Sequence, residues 1–164
     1  MSDLVSSDQS PHYKVKQCLR ALGASPYTLS RPEVSKLSVL LHENEQIEAF
    51  VCSTYISGWA MFVATSRKLL FIEKLLTKLK VEELAYEMIL GIDHTTGRKH
   101  GKVTVHAQRK DYSFRRVNRD CLEKFVSVVE LRMQSDEHEE VLVEGIAEAQ
   151  SLDPRLNYSS SFHI

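Results

Sequence analysis

Between residues 47 and 117 the sequence breaks into seven short segments rich in β-branched and aromatic residues, with polar or glycine-bearing corners between them. They read IEAFVCSTY (47–55), WAMFVAT (59–65), RKLLFIEK (67–74), KLKVEE (78–83), ILGIDH (89–94), KVTVHAQ (102–108) and YSFRRV (112–117). Segments of this length, recurring roughly every 8–12 residues, predict an antiparallel sandwich or barrel. In KVTVHAQ the alternation places Val103, Val105 and Ala107 inward and His106 outward. Gly91, inside the fifth segment, suggests a bulge or a close backbone approach.

The stretch after the last strand narrows the architecture. Asn118 is a good N-cap, Asp120 falls in the first turn, and Leu122, Phe125, Val126, Val129 and Met133 form one apolar stripe at helical spacing. Burying each such side chain is worth about 1.5–3 kcal/mol before entropy is subtracted. A helix with that stripe is expected to plug the open end of the strand assembly. Ahead of the strands, residues 13–22 and 32–41 carry helical periodicity, with Gly23 stopping the first and Pro32 starting the second. The stretch ASPYTLSRPEV reads as a connector punctuated by Pro26 and Pro32. The expected organisation is residues 1–42 as a flexible start with two short helices, 43–134 as a mainly β domain, and 135–164 as an acidic, partly disordered extension. In that extension residues 135–150, with Val141, Leu142 and Ile146 as contacts, either extend the helix or dock elsewhere, and Gly145 makes a long straight helix less favourable.

Composition matters mainly for what it excludes. With 43% hydrophobic and 26% charged residues over 164 positions, the chain has material for a packed core. No run approaches the ~20 apolar residues of a membrane span, and no secretory leader is expected in MSDLVSSDQSPHYKVKQ. Cys18, Cys52 and Cys121, odd in number and far apart, read as reduced thiols of a cytoplasmic protein. The net charge of −1 hides a segregation: residues 66–124 balance to +6 and residues 125–164 to −6. Either the acidic end folds back on the basic middle, or the middle faces an anionic partner.

Several phrases, taken together, resemble bacterial pleckstrin-homology (PH) domains of the YokE-like type. They are LLHENEQIEAFV, the corner GWAMFVATSRKLLFI with Thr65, Ser66, Arg67, Lys68, Leu69, Leu70 and Phe71, then LAYEMILGID and GKVTVHAQ. The resemblance covers about residues 43–133. It implies a seven-stranded PH-like barrel or sandwich closed by a C-terminal helix, and a binding role in general terms only. Thr65 and Arg67 are read structurally, the hydroxyl and the guanidinium closing backbone groups of the corner. Eukaryotic PH domains that hold phosphoinositides cluster cations at the first hairpin. Here that hairpin is Tyr55-Ile56-Ser57-Gly58-Trp59, without a cation.

Catalytic and metal-binding patterns are not evident. GRKHGKV, from Gly97, imitates a phosphate-binding loop but has three residues between its glycines and Val103 after the lysine. His94, His100 and His106 recur at intervals that suit neither a helix face nor a zinc site. There is no Gly-x-Ser-x-Gly elbow, and Glu82, Glu83 and Glu87 read as a solvated face. No enzyme activity, cofactor, metal or specific small molecule is therefore expected. The one functional lead is a set of cations. Arg98, Lys99 and Lys102 surround one turn, Arg109 and Lys110 occupy another, and Arg115, Arg116 and Arg119 close the last strand. Tyr112 and Phe114 are expected in the core, leaving no aromatic platform for nucleic acid. The favoured expectation is a protein-interaction or self-assembly module, working by sheet-edge pairing or a groove between strand and helix. The alternatives are a peripheral module on anionic membrane and, last, an enzyme whose site is assembled from distant residues.

Overall fold

A computed structural model describes residues 10–55 and 58–151, and side chains as far as residue 135. Seven strands form two antiparallel sheets: β1 (Ile47–Tyr55), β2 (Gly58–Thr65), β3 (Lys68–Lys74) and β4 (Leu79–Ala85) in sequential order, then β5 (Ile89–Thr96), β6 (His100–Ala107) and β7 (Asp111–Asn118). A single 3₁₀ turn, Tyr86–Met88, links the sheets. The sheets pack as a sandwich and do not close into one continuous barrel. β1 and β7 meet at one corner, where the Ser53 hydroxyl donates to the Arg115 carbonyl. The expected PH-like arrangement is therefore found in its open form.

Among the described residues three helices precede the strands: α1 (Pro11–Ala21), α2 (Pro26–Leu29) and α3 (Pro32–Leu40). Each begins with proline at its first position, where a missing N–H costs nothing. Ser10 and Ser25 cap α1 and α2, each accepting from an N–H three residues on, at 3.2 Å. The stretch read as a plain connector thus contains an extra helical turn. Its prolines start helices as well as separating them.

The sandwich interior is aromatic. Phe62, Phe71, Tyr112, Phe114 and Phe125 are all essentially buried, and Phe71 lies 4.9 Å from Tyr112 between ring centroids. The final helix, α4 (Arg119–Ser151), supplies Phe125 together with Leu122, Val126 and Val129, with Met133 partly buried beside them. The expected plugging stripe is thus in place. α4 also runs on through Gly145, so of the two courses open to the acidic segment it takes the one that extends the helix. A glycine in a helix interior costs only about 1 kcal/mol, which Ala- and Glu-rich neighbours offset. The expectation of disorder in the tail falls, beyond Ser151, outside the described residues, as do residues 1–9 and most of the first hairpin turn.

A second core lies on the other face of the four-stranded sheet. Val15, Leu19, Leu29, Val34 and Leu37 of the N-terminal helices cover Phe50, Met61, Val63, Leu70 and Ile72. Residues 60–65 of β2 are consequently buried without a break, as in strands covered on both sides. The corner after β2 is closed by Thr65. Its hydroxyl donates to Glu45 Oε1 at 2.5 Å and accepts from the N–H groups of Arg67 (3.2 Å) and Lys68 (3.0 Å). Arg67 contributes its backbone alone to this corner. Its side chain is exposed, contrary to the expected guanidinium closure.

Candidate functional site

Five of the eight cations singled out by sequence converge where the β5–β6 turn, the end of β7 and the start of α4 meet. The turn is built for close approach. The Gly97 N–H donates to the His100 carbonyl at 2.9 Å, and a Cβ at Gly97 would lie 2.7 Å from that same oxygen. A Cβ at Gly101 would collide with Leu122 Cδ2 and the Thr95 carbonyl, so glycine is what lets the hairpin lie against α4. The Arg119 N–H, first in α4, donates to the Lys99 carbonyl at 3.2 Å. Asn118 Oδ1 caps the helix by accepting from the N–H groups of Asp120 (3.0 Å) and Cys121 (3.2 Å).

A bulge completes the arrangement. Gly101 pairs with Val117 and Val103 with Phe114, so Lys102 stands opposite two residues, Arg115 and Arg116. Arg116 takes a φ of 58°, the one positive value at a non-glycine residue among those described. Such a conformation costs on the order of 1–2 kcal/mol in an L-residue. The extra residue turns Arg116 to the same cleft as Lys102, an open depression of ≈ 430 Å³. Arg98, Lys99 and Arg119 line an adjoining cleft of ≈ 520 Å³ that also contains Asp120 and Glu123. His100 borders both. Arg119 donates to Glu123 Oε1 at 2.8 Å. Arg98, Lys99, Lys102 and Arg116 have no ion pair with any described residue.

The other three cations stand apart. Arg115 and Arg109 are exposed, the latter on the β6–β7 turn. Lys110 is already engaged, 2.9 Å from Glu82 Oε1 and 4.6 Å from the centre of the Tyr112 ring. That contact belongs to a cluster that sequence reasoning missed. Glu82 accepts from Lys80 at 2.6 Å, from Lys110, and from the Tyr112 hydroxyl. Burial pushes the Glu82 carboxyl up, but the hydrogen bonds from Lys80, Tyr112 and Lys110 outweigh it and bring it down to about 2. Burial, and then Glu82 itself, pushes the Tyr112 phenol well above its ordinary value. Glu82 is therefore a structural anion and not part of a solvated face. Glu83 also has a partner, Lys68 at 2.8 Å.

The remaining reactive groups have structural surroundings. His106 points outward as expected and lies between Asp93 and Asp111, 2.9 Å from each, which raises its affinity for a proton. Burial pushes the Cys18, Cys52 and Cys121 thiols up, away from the thiolate form a nucleophile needs. Arg31 lies 4.6 Å over the Trp59 ring and pairs with the buried Glu33 at 3.3 Å. Among the described residues no group of three or more His, Cys, Asp or Glu side chains is arranged to hold a metal ion, and no helix is long and apolar enough to cross a membrane.

A family model described as Bacterial PH domain matches residues 41–130. No curated protein matches the chain. Among solved structures it is similar to a DUF1696 family protein with a pleckstrin-homology domain from Shewanella loihica. That likeness has 16% identity, a TM-score of 0.41, and coverage of 57% of this chain and 88% of the other. It is also similar to a pleckstrin homology domain from Shewanella amazonensis, with 21% identity, a TM-score of 0.36 and coverage of 48% and 75%.

Proposed function

The chain belongs to the bacterial PH domain family, and from that premise we propose that it is a non-enzymatic, cytoplasmic binding module whose basic face takes an acidic segment of a protein partner. Within the family we assign it to the YokE-like type, on the GWAMFVATSRKLLFI corner. The observation that carries the functional reading is the convergence of Arg98, Lys99, Lys102 and Arg116 on adjoining clefts, none of the four in an ion pair with a described carboxylate. Unpaired cations from separate elements create a local field that attracts and orients an anionic group.

Two features favour a protein segment over a lipid surface. Asp120 and Glu123 sit within the same cleft, so the face is a mixed pattern that a partner with both charges and hydrogen-bonding groups would match. The exposed large apolar side chains among the described residues are Tyr27, Val39, Leu76, Leu90 and Leu131, and none lines these clefts. A membrane would therefore find no apolar anchor beside the cations. Edge pairing at β4 is disfavoured as well, because that strand carries Lys80, Glu82 and Glu83, charges that protect an edge from added strands.

The test is binding of labelled poly-L-glutamate, set beside sedimentation with anionic and neutral vesicles, at low and physiological salt. Replacing Arg98, Lys99 and Lys102 together by Gln is expected to weaken polyglutamate binding by about tenfold or more at low salt. Binding to anionic vesicles in preference to polyglutamate would replace this reading with a membrane one.

A further inference from the structure

Resting on the reading of the basic face as a surface for an acidic protein segment, we propose that its occupant is the acidic second half of α4 from another copy of this chain. Residues 134–151 contain Asp136, Glu137, Glu139, Glu140, Glu144 and Glu148 and no lysine or arginine. The basic face carries Arg98, Lys99, Lys102, Arg116 and Arg119, of which Arg119 alone has a described carboxylate partner. The two sets are of opposite sign and similar in number, in a chain whose net charge is only −1.

Geometry then decides between pairing within one chain and pairing between chains. α4 is one helix from Arg119 to Ser151, and its first residue is tied to the β5–β6 turn that carries the basic face. At 1.5 Å per residue, Asp136 lies about 26 Å and Glu148 about 44 Å along the axis from Arg119. A continuous helix cannot return its far half to its own beginning, and no side chain spans such a gap. The described ties of α4 to the sandwich reach Arg132, whose Nε donates to Glu48 at 2.9 Å, and the partly buried Met133. The acidic half is therefore carried along the helix away from the cations it would neutralise. The same rigidity that prevents closure in one molecule holds the acidic segment ready, in helical form, for the basic face of a second. The contact joins two different surfaces, so it propagates head to tail or closes into a ring.

Sedimentation velocity of the full chain across concentration and salt tests this. The wild type is expected to exceed its 18.8 kDa monomer mass at low salt and to dissociate as salt is raised. Two charge-reversed variants are compared, one with Arg98→Glu, Lys99→Glu and Lys102→Glu, the other with Glu139→Lys, Glu140→Lys and Glu144→Lys, each checked for native circular dichroism. Each alone should associate about tenfold or more weakly than wild type. Their equimolar mixture should recover association, because each reversed surface meets its complement. A wild type that stays monomeric at low salt, or association untouched by either set of reversals, would overturn the proposal. If the monomer still binds polyglutamate through Arg98, Lys99 and Lys102, the basic-face reading survives and only the identity of the occupant falls. If it binds neither, both fall.

Discussion

Glu82 keeps its charge because three donors surround it, and that arrangement has a measurable pH signature. With the folded carboxyl at about 2 against an ordinary 4.5, its contribution to stability is fully present above about pH 4.5 and is lost as pH falls toward 2. The side chain retains 24% exposure, so solvent screening removes part of what the shift alone implies. In urea melts, the stability difference between wild type and Glu82→Gln should shrink by about 1–2 kcal/mol between about pH 7 and about pH 3. A difference that does not change with pH would mean the carboxylate acts through packing and not through charge. Nothing in the sequence announces this residue. KLKVEE alternates like any half-exposed strand, and the partners that change its meaning, Lys110 and Tyr112, are 28 and 30 residues away. Arg116 is visible in the sequence as a cation, but its left-handed backbone is not, since a bulge arises from the pairing register of two strands.

The elements themselves are legible to the degree that one periodicity governs them. The seven strands and the stripe Leu122, Phe125, Val126, Val129 and Met133 are set by alternation and helical spacing. α2 is not legible, because a four-residue helix has too few positions to show a period. The extent of α4 stays open in the sequence because a single glycine stands against the helix-forming residues around it. The site is legible as two basic turns and a basic strand end, and not as a convergence, since joining residues 98–102 to residues 116–119 requires the topology. Gly101 is where those elements are locked together, and it differs physically from Gly91. A Cβ at Gly91 would meet nothing within 4 Å, whereas at Gly101 it would strike Leu122 and the β5 backbone. Gly101→Ala is therefore expected to cost about 1–3 kcal/mol by overpacking, and Gly91→Ala to stay within about 0.5 kcal/mol of wild type. Equal costs at the two sites in denaturant melts would show that neither glycine serves a close approach.

At the scale of the whole molecule, the N-terminal helices form a layer of the fold and not a leader to it. The match to the bacterial PH domain family begins at residue 41, yet the sheet within it is buried on a face that α1, α2 and α3 cover. The unbroken apolar runs of β2 and β3 carry this information. A strand with one wet face alternates, while WAMFVAT and KLLFI do not. Removing residues 1–41 would expose Phe50, Met61, Val63, Leu70 and Ile72 together, a contiguous apolar surface of the kind soluble monomers rarely leave open. The shortened chain is expected to bind a hydrophobic dye, to aggregate at concentrations where the full chain does not, and to lose its cooperative thermal transition. If it instead remained monomeric and unfolded as cooperatively as the full chain, the sandwich core alone would hold the domain, and the helical layer would be an attachment available for release. The aromatic interior argues against that outcome. It stabilises one face of the four-stranded sheet, and the other face needs a cover of its own.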